Sequence, residues 1–62
     1  MIINILNQIK NADLHSARSN AIKIGDERLI SLIERLMHCD VEEYEHHYHM
    51  TLAHLTFINE SI

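Results

Sequence analysis

Three carboxylate–imidazole pairs stand at one helical spacing within a short stretch: Glu42 with His46, Glu43 with His47, and Glu45 with His49. Residues four apart are neighbours on a helix surface, and a carboxylate beside an imidazole favours its protonated form by a few tenths of a kcal/mol per pair, as an order of magnitude. Protonating all six histidines would move the formal charge from −4 to +2. Histidine titrates near neutrality, so Glu42, Glu43, Glu45, His46, His47 and His49 together make a face that can sense pH. The plainer reading is a solvated polar helix face, which is what most charge runs on helices are.

The same histidines invite a metal. His46 and His49 are three apart, so one face could present both, and they are the residues a metal-binding module would use. His47 and His54 lie two turns apart, too far for one ion. Zinc takes four convergent ligands, or three and an open position. The chain has one cysteine, Cys39, and no His-Glu-x-x-His motif. The expectation is that no metal and no cofactor is used. Cys39 follows His38, but chain neighbours seldom meet as nucleophile and base, and a domain this small offers little pocket to exclude water. No Gly-rich phosphate loop or nucleophile elbow is present. An enzyme is not expected.

These residues need a helix to hold them. Val41, Tyr44, Tyr48, Thr51, Leu55 and Ile58 recur at steps of three and four, with Leu52 widening the stripe. Asp40 stands as an N-cap, and Glu43 sits where a capping-box carboxylate reaches back. This predicts a helix over 41–58. A second over 27–38 has Leu29, Leu32, Ile33 and Leu36 on its core stripe, broadened by Ile30 and Met37. Between it and the preceding segment lies the sole glycine, Gly25, placed as a left-handed C-terminal residue, followed by Asp26 as the next N-cap. The first segment carries Ile2, Ile5, Leu6 and Ile9, then Leu14, Ala17 and Ala21. It reads as one helix over 2–23, bent or broken near 11–13, with two shorter helices as the alternative.

Sixty-two residues make one domain with a small core. A lone cysteine excludes an internal disulfide and fits a reducing compartment. With no proline and one glycine, long helices are the expected product. The fold class is therefore all-α: a small helical hairpin or three-helix domain, residues 1–62, dimerising into a coiled-coil-like bundle. Its core and dimer interface would use Ile5, Ile9, Leu29, Leu32, Ile33, Leu36, Val41, Tyr44, Tyr48, Leu52, Leu55 and Ile58, because one hairpin cannot cover that much apolar stripe. An excess of Asp and Glu over Lys and Arg disfavours nucleic acid as an unaided partner. No basic region followed by an apolar run opens the chain, and no apolar run spans a bilayer, so no membrane is expected and the cytoplasm is the expected compartment.

From Leu29 to Phe57 the chain resembles the small enterobacterial biofilm-development and two-component-connector proteins of the YmgB/AriR type. The likeness lies in Leu32-Ile33-Glu34-Arg35-Leu36, then His38, then Glu42 and Glu43, His47-Tyr48, and Leu52 and Leu55 at helical spacing. Those proteins carry a polar leader before their first helix, whereas here Ile2 begins the periodic segment at once. The resemblance implies a helical homodimer without catalytic residues. It also implies a regulatory role in biofilm formation and acid stress, exerted on signalling proteins of a phosphorelay or on DNA. The expected function is thus a small regulator working through protein–protein contact. A DNA-associated modulator of the same architecture and a histidine-based metal module are the alternatives.

Overall fold

The computed structural model describes residues 1–61, as four helices: α1 (Ile2–Lys10), α2 (Leu14–Ile24), α3 (Glu27–His38) and α4 (Val41–Ser61). Among the described residues there is no strand. The fold is all-α. At 1.5 Å per residue α4 is roughly 31 Å long, and it sets the long dimension of a molecule measuring 33 × 20 × 19 Å.

The segment over 2–23 is two helices, not one. The reason lies in three residues. Ala12 has φ +62°, the left-handed region. Its N–H bonds to the Ile9 carbonyl at 3.0 Å, and the Asp13 N–H bonds to the Gln8 carbonyl at 2.7 Å. That pair of bonds is the Schellman ending, which consumes the last carbonyls of α1 and turns the chain back. Glycine usually takes the left-handed position because a Cβ there costs roughly 1–2 kcal/mol. Replacing Ala12 by glycine should therefore raise stability by about 1 kcal/mol. In thermal melts followed by circular dichroism, the midpoint should rise by about 4–8 °C. An unchanged or lower midpoint would mean that Ala12 is not held left-handed in solution.

The second turn is more legible. Gly25 has φ +83° and donates to the carbonyls of Ala21 and Ile22. Nothing lies within 4 Å of where its Cβ would be, so the requirement for glycine there is one of backbone conformation alone. Asp26 then caps α3, its Oδ1 accepting the Leu29 N–H at 3.1 Å.

These tight turns fold each helix back along the one before. A polar cross-link joins each consecutive pair. Asn20 Nδ2 donates to Gln8 Oε1 at 3.0 Å between α2 and α1. Arg18 and Glu34 pair at 3.3 Å between α2 and α3. Asp26 and His54 meet at 3.0 Å between the start of α3 and the second half of α4. α1 and α4 meet through apolar side chains, Ile5 and Ile9 with Leu55.

The core is continuous through all four helices. Ile5 and Ile9 of α1, Ala17 and Ala21 of α2, Leu29, Ile33 and Leu36 of α3, and Leu55 of α4 form one buried cluster. Leu32 is also buried. The two alanines let α2 approach closely, where larger side chains would hold it off. Thr51 is fully buried on α4, its hydroxyl donating to the His47 carbonyl at 2.8 Å. A helical threonine can satisfy its hydroxyl in this way without a partner from elsewhere.

Val41, expected in the core or the dimer interface, lies outside the core of the single chain. Val41 is 92% exposed. It shares the stripe of Tyr44 and Tyr48, but α1 ends opposite those tyrosines and the chain turns away at Ala12. α1 does not extend far enough to cover Val41. Tyr44, Tyr48, Leu52 and Ile58 are half-buried against the cluster rather than inside it. The capping box expected at the start of α4 also takes another form. The Glu43 N–H bonds to the Asp40 main-chain carbonyl at 3.0 Å, and its carboxylate turns along the helix toward His47.

Candidate functional site

The first half of α4 carries most of the residues singled out by chemistry. Glu42, Glu43, Glu45, His46 and His49 are exposed there. Two of the three expected pairs form: Glu43 with His47 at 3.7 Å and Glu45 with His49 at 3.6 Å. The Glu45–His49 pair is open to water, at 87% and 68% side-chain exposure, so its contribution to stability is small. His46 instead sets its ring edge-on to His47, with centroids 5.4 Å apart.

His47 belongs to a different class from its two neighbours. Its side chain is 16% exposed, and its Nδ1 is buried without a hydrogen-bond partner. The six-residue pH face is therefore not one surface: His46 and His49 stand in solvent while His47 lies against the body of the domain. Its ring borders a shallow hollow of about 240 Å³ with Arg35, His38, Cys39 and Glu43 at the α3–α4 corner. The Cys39 thiol donates to the Leu36 carbonyl at 3.7 Å, tying it to the end of α3.

Among the described residues no three of His, Cys, Asp and Glu converge as a metal site would require. His46 and His49, the residues a metal would use, are engaged with His47 and Glu45 respectively.

A larger opening lies on the other side of α4. Between α1 and the first half of α4 runs a groove of about 410 Å³. Its floor is Ile9 with Tyr44 and Tyr48, whose rings stack with centroids 6.2 Å apart and planes 19° from parallel. Lys10 and Ala12 form one wall, and Glu45 and His49 the other. The groove exists because α1 stops after nine residues, while the α4 stripe continues past it to the exposed Val41. Stacked tyrosines offer a flat apolar surface with hydroxyls at its edge, the side chain most suited to a half-wet contact.

The contact that sequence reasoning missed is Asp26–His54. Asp26 Oδ1 caps α3 while Oδ2 meets His54 Nε2 at 3.0 Å, at side-chain exposures of 23% for Asp26 and 14% for His54. Burial pushes the Asp26 carboxyl up, but the Leu29 N–H, His54 and the Arg28 N–H together outweigh it and hold the carboxyl below its ordinary value. The two residues are 28 apart in the chain, and no local spacing announces such a pair. Only the cap had a signature, an Asp directly after a glycine.

No family model, curated protein or solved structure matches the chain. Among the described residues no helix is long and apolar enough to cross a membrane.

Proposed function

We propose that this chain is a small non-enzymatic regulator that works by protein–protein contact, with the groove between α1 and α4 as its contact face. The observation that carries the reading is the uncovered apolar stripe of α4. Val41 stands in solvent, and Tyr44 and Tyr48 line an open groove. An apolar surface of this kind, edged by charge, is what marks an interaction site on a small domain. The resemblance to the biofilm and two-component connector proteins supplies a setting, phosphorelay signalling under acid stress. The acidic balance of the chain favours a protein over nucleic acid as partner.

Val41→Asp gives a clean test. The residue is 92% exposed, and a carboxylate in the first turn of a helix is mildly stabilising, so folding should be untouched. Affinity capture from extract of the native cells should retain a discrete protein on the wild-type chain. Val41→Asp should lose it, and nuclease treatment should leave it. Capture that survives Val41→Asp would remove the groove as the contact face. Capture abolished by nuclease would favour the DNA-associated modulator.

A further inference from the structure

We draw no further inference here: the strongest candidate, the open groove between α1 and α4 floored by Ile9, Tyr44 and Tyr48, is the contact face already described, and nothing in the structure shows what covers it.

Discussion

Ile33→Ala is expected to leave much of the protein unfolded at room temperature. Ile33 is fully buried at the centre of α3, within the cluster that all four helices share. Removing the equivalent side-chain volume from a packed core costs about 2–5 kcal/mol, from lost transfer energy and the cavity left behind. A domain of this length has roughly 3–9 kcal/mol of stability in total, so the loss is a large fraction of what exists. Ile22→Ala is the control, because Ile22 lies on α2 at 49% exposure and should change stability by less than about 0.5 kcal/mol. Urea titrations of the two variants read the difference directly. Equal, small effects would mean that α3 does not form the centre of the core.

Asp26→Ala should have the second largest effect, because one carboxylate does two things. It caps α3 through the Leu29 N–H and ties α3 to α4 through His54. Losing both contacts should cost about 1–3 kcal/mol. Asp26→Asn keeps a capping oxygen and should cost less, whereas His54→Ala keeps the cap and loses only the cross-link. A double-mutant cycle between Asp26 and His54 should therefore give a coupling of at least about 0.5 kcal/mol. The pH dependence has a definite sign. The folded-state carboxyl of Asp26 lies below its unfolded value. Its contribution is then fully present above the ordinary carboxylate range and is lost as pH falls through the folded value, in the region below about pH 4. Acid unfolding of the wild type should accordingly steepen there, and Asp26→Ala should flatten that part of the curve. Identical acid profiles would assign the steepening to other carboxylates.

What could be read from the chain, and what could not, follows from the range of each interaction. The α3 stripe is legible because helical period alone places Leu29, Leu32, Ile33 and Leu36 on one face. The turn at Gly25 and Asp26 is legible because both residues have local conformational roles. The turn at Ala12 is hidden, since an alanine in a left-handed conformation carries no compositional signature and Asn11 and Asp13 only hint at a break. Val41's place on the stripe is legible from its period, but its exposure in the single chain depends on where α1 ends, and no feature of α4 encodes that. His47 and His49 look alike in sequence, yet a two-residue rotation along the helix buries one and exposes the other. The Tyr44–Tyr48 groove and the Asp26–His54 contact arise only when helices distant in sequence meet.

The most direct test of the groove as the contact face places a photo-activatable crosslinking residue at Val41 and, in a second chain, at Lys23, which is exposed on α2. Both are expressed in the native cells and irradiated. The account predicts one discrete heterologous protein adduct from the Val41 position and none from the Lys23 position. Adducts of equal yield from both positions, or adducts from Val41 to nucleic acid alone, would contradict it.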